Sequence, residues 1–164
     1  MRKCMVIGSF DPVTAGHIEL IRRAAAIFER TYAVVMRNEK KSCFFTEEER
    51  LCMLEAACRG IPGVCADMHT GLAVDYAKKM GISFIVRGIR NPDDLVYEME
   101  LAGIYRGLDP DIETVFLPAY GETADISSTR VRELLAAGED PGALVPHEIL
   151  ELMIRYTESK RTRE

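Results

Sequence analysis

The chain has 164 residues and a formal net charge of −5, from 21 Lys and Arg against 26 Asp and Glu. Hydrophobic residues make up 48%, enough for a real core, which excludes extended disorder and favours one domain at roughly 100–200 residues per domain. The acidic balance excludes a general nucleic-acid binder, whose backbone affinity needs a basic face, and no apolar run approaches the roughly 20 residues that span a bilayer.

The apolar stretch behind Met1-Arg2-Lys3 ends by Asp11, too soon for a secretory leader. Five cysteines, Cys4, Cys43, Cys52, Cys58 and Cys65, are odd in number and none is spaced Cys-x-x-Cys. Disulfides and zinc are therefore not expected, and a reducing cytoplasm is.

Short β-rich runs alternate with helical patterns. Cys4–Ile7 reads as a first strand closed by Gly8. Ile18, Ile21, Ala25 and Phe28 recur at helical spacing, which predicts a helix over His17–Arg30. Tyr32–Met36 is the second strand. Thr46 and Glu49 have capping-box spacing, so a second helix runs over Glu47–Arg59. Val64–Met68 is a weak third strand, Leu72–Met80 a third helix stopped by Gly81, and Ser83–Val86 a fourth strand. Asp93–Arg106 is a helix with acids in its first turn. Thr114–Leu117 is the fifth strand, Ser128–Ala137 a helix stopped by Gly138, and His147 to about Glu158 a last helix. The charged tail 159–164 is expected to fray. This order predicts a single α/β domain over residues 1–164: a doubly wound, Rossmann-like, five-stranded parallel sheet with helices on both faces. Ligands of such sheets bind beyond the carboxyl ends of the strands.

The first such loop is Gly8-Ser9-Phe10-Asp11-Pro12-Val13-Thr14-Ala15-Gly16-His17. It leads from a strand into a helix N-terminus, a ready anion site. Ser9 and Thr14 add hydroxyls, and His17 an imidazole. It is neither Gly-x-Gly-x-x-Gly nor a P-loop. On these residues alone, a phosphate site and a capped helix with an incidental histidine both stand. The loop resembles the signature of the H/T-x-G-H nucleotidyltransferases, which move a nucleotidyl group from a nucleoside triphosphate and release pyrophosphate. Its Thr-x-Gly-His form behind Gly-Ser-Phe-Asp-Pro is similar to that of the pantetheine-phosphate adenylyltransferases in particular.

Three more segments carry the resemblance. Lys40 and Lys41 precede Phe44-Phe45-Thr46-Glu47-Glu48-Glu49-Arg50; counting does not separate the two lysines, and Lys41 is favoured as the acceptor-phosphate contact. Arg87-Gly88-Ile89-Arg90 precedes Asp93-Asp94-Leu95-Val96-Tyr97-Glu98, and the arginines suit phosphate or pair with the aspartates. Ile126-Ser127-Ser128-Thr129-Arg130-Val131-Arg132 opens a second helix N-terminus, with Arg130 and Arg132 read as surface cations. Val6-Ile7, Tyr105 and Thr123-Ala124-Asp125 depart from the family's usual residues.

The resemblance implies transfer of AMP from ATP to 4′-phosphopantetheine, giving dephospho-coenzyme A and pyrophosphate by direct in-line attack. His17, Thr14, Lys41 and Arg90 would be catalytic. ATP would meet Ser9, Phe10, Gly16, His17, Gly88, Arg90, Glu98, Ser127 and Ser128. The acceptor would meet Ser9, Lys41, Ala73 and Arg87. Mg²⁺ would ride on the triphosphate without a protein carboxylate cage. A cytoplasmic homohexamer and feedback by coenzyme A are further family expectations. The competing readings are a same-fold enzyme with nicotinamide mononucleotide or a phospho-alcohol as acceptor, and a non-catalytic ATP-binding module.

Overall fold

A computed structural model describes residues 1–37 and 42–162. Five strands form one parallel sheet: β1 (Lys3–Gly8), β2 (Arg30–Arg37), β3 (Val64–Thr70), β4 (Phe84–Ile89) and β5 (Glu113–Pro118). The helices are α1 (Ala15–Ile27), α2 (Glu47–Cys58), α3 (Ala73–Met80), α4 (Pro92–Leu108), α5 (Ser128–Ala137) and α6 (Leu150–Arg161). The sheet order is β3-β2-β1-β4-β5.

Two apolar layers cover the sheet. Ile18, Ile21 and Ala24 of α1, Met53 and Leu54 of α2, Val131 and Leu135 of α5, and Met153 of α6 pack on one face. Val74, Tyr76 and Ala77 of α3, with Tyr105 of α4, pack on the other against Met5, Ile7, Val34 and Ile85. Burial on both faces is what near-continuous apolar strands such as Val6-Ile7 and Ala33-Val34-Val35 require.

The chain therefore leaves β1 towards one face and β4 towards the other. Because β1 and β4 are neighbours (Cys4↔Phe84 to Val6↔Val86), their departing loops part and open a crevice at the carboxyl edge. This is the topological switch point of a doubly wound sheet.

Several boundaries move. The first helix starts at Ala15, not His17, and ends at Ile27, because Arg30 opens β2 in register with Lys3. Arg87, Gly88 and Ile89 belong to β4 rather than to a loop, since β5 pairs with them through Phe116, Leu117 and Pro118. His147–Ile149 is a 3-10 turn, and the last helix then runs to Arg161. Lys160, placed in the frayed tail from sequence, pairs with Glu49 at 2.9 Å. No described helix is long and apolar enough to cross a membrane.

Candidate active site

A cleft of about 430 Å³ occupies the switch point. Its walls include Ser9, Phe10, Thr14, Gly16, His17, Arg87, Gly88, Arg90, Glu98, Ser127 and Ser128. These are all the residues assigned to ATP from sequence, with Thr14 and Arg87 besides. Lys40 and Lys41 lie outside the described residues. One assignment among the described residues falls elsewhere. Ala73 opens α3 on the opposite face, buried with Ile7 and Val34, and does not line the cleft. The reason is topological: α3 follows β3, the outermost strand, two positions from β1.

Helix composition says where an anion can sit. α2 carries Glu47, Glu48 and Glu49 in its first turn, and α4 carries Asp93 and Asp94. Those carboxylates occupy the positive dipole ends. α1 and α5 have no acidic residue there, and both open on the cleft, leaving two N-termini free for negative charge. Gly16 lets the 3-10 turn Gly121–Asp125, which precedes α5, approach α1: a Cβ there would stand 3.1 Å from the Thr123 carbonyl.

Thr14 is the N-cap of α1, and His17 fills the place that Glu or Gln takes in an ordinary capping box. The His17 N–H donates to Thr14 Oγ1 at 3.3 Å, and the Thr14 N–H donates to His17 Nδ1 at 3.0 Å. An accepting Nδ1 puts the proton of the neutral ring on Nε2. Burial lowers the His17 pKa from 6.5 to about 4, with the charges of Arg87 and Arg90 adding to the effect. The ring is thus a neutral Nε2–H donor at pH 7. Phe10 fixes its tilt by an edge contact with centroids 5.0 Å apart. Phe10 itself is buried at φ 48°, a left-handed backbone rare outside glycine, and such strain gathers at functional sites.

Three carbonyls of the loop are held by side chains of α2 and α5. Arg50 Nη1 donates to Ser9 O at 2.7 Å, Arg132 Nη1 to Asp11 O at 2.6 Å, and Ser128 Oγ to Pro12 O at 2.8 Å. The buried Asp11 carboxylate accepts the Phe44 and Phe45 N–H groups, both at 2.8 Å. Arg132, read from sequence as a surface cation, is therefore a strut of the loop. The hydroxyl proton of Ser128 is likewise spent on Pro12. Ser127 caps α5 by accepting from the Arg130 N–H.

Arg87 and Arg90 are both paired. Arg87 forks onto Glu98, Nε to Oε2 and Nη2 to Oε1, each at 2.6 Å, while its Nη1 donates to Ile7 O at 2.7 Å. Arg90 holds Asp94 at 2.8 and 3.1 Å, and this pairing keeps the Asp94 carboxyl below its ordinary pKa. The aspartate reading thus holds for Arg90, whereas the partner of Arg87 is the more distant Glu98. Among the described residues, no group of three or more His, Cys, Asp or Glu is gathered to hold a metal.

Sequence reasoning gave no site role to Glu19, Leu20, Arg23, Leu117, Thr123 and Ile126, which also line the cleft. Thr123 donates to Glu19, and Arg23 donates to Pro118 O and lies over the Tyr120 ring at 5.0 Å. The altered segment Thr123-Ala124-Asp125 is a short 3-10 turn held by this network. Glu19 and Arg23 sit one helical turn apart on α1, the one signal that could have linked them.

The chain matches the family model described as cytidylyltransferase-like over residues 5–134. It is 42% identical over 149 residues to a phosphopantetheine adenylyltransferase of Finegoldia magna, covering 91% of this chain and 92% of that relative. Among solved structures, the lipopolysaccharide core biosynthesis protein of Thermoplasma volcanium shares the fold with a TM-score of 0.55. At 22% identity it covers 74% of this chain and 99% of its own.

Proposed function

The chain belongs to the phosphopantetheine adenylyltransferases, within the cytidylyltransferase-like family, and from that premise we propose how its cleft moves AMP from ATP to 4′-phosphopantetheine. The observation that carries the reading is the meeting of two acid-free helix N-termini and the neutral Nε2–H donor of His17 in one cleft.

An oxygen of the acceptor phosphate attacks the α-phosphorus of ATP in line. One P–O bond forms, the bond to the β-phosphate oxygen breaks, and pyrophosphate leaves with the electron pair. The nucleophile is already an anion at neutral pH, so no general base is needed, and the transfer passes through no covalent enzyme intermediate. What remains is to hold two mutually repelling anions together and to stabilise charge growing on the α-phosphate.

His17 Nε2–H and the Gly16 N–H do the second task, the Ala15 and His17 N–H groups being spent on Leu144 O and Thr14 Oγ1. Thr14 fixes the tautomer. Arg90, the Ser127 hydroxyl and the N-terminus of α5 receive the β- and γ-phosphates. Arg87 meets the acceptor phosphate, a role the resemblance also gives Lys41, and Glu98 meets the nucleotide ribose. ATP enters as its magnesium complex, the ion being part of the substrate: the two carboxylates nearest the arginines, Asp94 and Glu98, are each committed to one of them. Coenzyme A, which contains both product halves, competes for the same cleft as a feedback ligand.

We propose in addition a cytoplasmic homo-oligomer, a hexamer as the family resemblance implies. Its support is α4, which leaves Val96, Tyr97, Met99, Ile104 and Leu108 exposed while burying only Glu98. All five cysteines are free thiols, in keeping with a reducing compartment.

Pyrophosphate release from ATP, measured with 4′-phosphopantetheine, nicotinamide mononucleotide and a phospho-alcohol in turn, tests the reading. Release with the first alone is expected. Release with another acceptor only would overturn it.

A further inference from the structure

Arg50 lies on α2, outside the cleft lining, and has had no part in the mechanism above. It is 3% exposed. Among the described residues its guanidinium donates once, through Nη1, to the Ser9 carbonyl at 2.7 Å. Its Nε is sealed from solvent and has no hydrogen-bond partner among the described residues. No carboxylate of the described residues forms an ion pair with it; the nearby buried carboxylate, Asp11, is satisfied by the Phe44 and Phe45 N–H groups and by Arg132 at 3.7 Å.

A guanidinium does not lose its proton in a protein. Buried without a carboxylate, it is among the least favourable arrangements a core can hold, because the desolvation of the charge is left uncompensated. A purely structural position would be better filled by an apolar side chain of similar volume. The position of Arg50 suggests what offsets the cost. Its Nη1 holds the backbone of Ser9, a residue of the cleft wall, while Arg50 itself is not part of that wall. Engaging the Ser9 carbonyl leaves one acceptor fewer for an anion to meet there. The same buried charge adds a fixed positive potential, weakly screened because it is out of water.

We propose that Arg50 is a positioning residue for the phosphate loop, and that its buried charge is balanced by the polyphosphate of the bound nucleotide. It acts through Ser9 and through space, without touching substrate. The inference rests on the reading of the cleft as a nucleotide site. It adds to that reading a reason why a helix outside the cleft controls nucleotide affinity.

Two variants of the full chain test it. Arg50→Gln keeps an N–H donor for the Ser9 carbonyl and removes the charge. Arg50→Lys keeps the charge and loses the fork. Calorimetric titration with ATP and with pyrophosphate, scanning calorimetry of the ligand-free proteins, and KM against kcat are the readouts. Arg50→Gln is expected to bind both ligands at least tenfold more weakly, with KM for ATP rising in step. Its ligand-free melting temperature should equal or exceed that of the wild type. Arg50→Lys should bind within about threefold of the wild type. Wild-type affinity in Arg50→Gln would overturn the inference. So would a lower melting temperature in both variants with unchanged affinity, which marks a structural residue. Failure of the wild type to turn over 4′-phosphopantetheine would instead overturn the acceptor assignment and leave this comparison standing.

Discussion

Arg87 and Glu98 bind each other by two parallel hydrogen bonds of 2.6 Å, so that each cleft-facing group is held by the other. Glu98 is buried, and removing the arginine leaves its carboxylate without a counter-charge. Breaking one side of such a pair costs about 3–5 kcal/mol. Arg87→Ala is therefore expected to lower unfolding free energy by about 3 kcal/mol, and to raise KM for the acceptor more than for ATP. The double variant Arg87→Ala/Glu98→Gln should recover part of the stability without recovering the acceptor KM. Urea unfolding and steady-state kinetics check both halves. Equal stability in Arg87→Ala and the wild type would contradict the pairing.

The protonation of His17 gives a second prediction. Its folded pKa, about 4, lies below the 6.5 of an ordinary histidine. Between these values the unfolded chain binds more protons than the folded one. The contribution of His17 to stability is thus fully present above pH 6.5 and is lost as pH falls towards 4. An NMR titration should find the His17 ring changing charge near pH 4, with Nε2 protonated and Nδ1 accepting at neutral pH. A midpoint near 6.5 would mean that the ring is solvated and its tautomer unfixed. Thr14→Val should cost about 1 kcal/mol through the lost cap and leave Nδ1 accepting, because its donor is the backbone N–H of residue 14, whereas Thr14→Ser should retain the cap as well.

The exposed apolar side of α4 gives a third. Large exposed apolar patches on soluble proteins mark interaction sites. Sedimentation of the wild type should show an assembly larger than a monomer, and a charge placed in the patch, as in Met99→Glu or Ile104→Glu, should dissociate it. A wild type that sediments as a monomer at micromolar concentration would remove the oligomer from the account.

Much of this molecule is legible in its sequence. The Thr46–Glu49 capping box and the Gly81 and Gly138 helix stops carry local chemistry that nothing distant overrides, and α2, α3 and α5 lie within a residue of where they are expected. The ends of β4 were less legible. Arg87-Gly88-Ile89 has the composition of a loop and becomes strand only because β5 pairs alongside it. The start of α1 was obscured because its capping box uses His17 where the usual pattern has a carboxylate or amide. Several residues of the cleft wall were legible as a group because they fall in short motifs at strand ends and helix starts. Arg50 and Arg132 were not, because a helical arginine pointing inward has the same sequence pattern as one pointing out. The pairing of Arg87 with Glu98 rather than with Asp93 or Asp94 depends on how deeply α4 packs, which spacing alone does not give.

The claim on which the rest depends is that a neutral His17 stabilises charge in the transition state without holding the nucleotide. The most direct measurement pairs the turnover of His17→Ala with its affinity for ATP. Loss of one such donor costs roughly 3–4 kcal/mol, or a hundred- to a thousand-fold in kcat. The expected result is a fall of that size with ATP affinity within a few-fold of the wild type. A variant that turns over at nearly the wild-type rate, or whose loss lies wholly in ATP binding, would contradict the account.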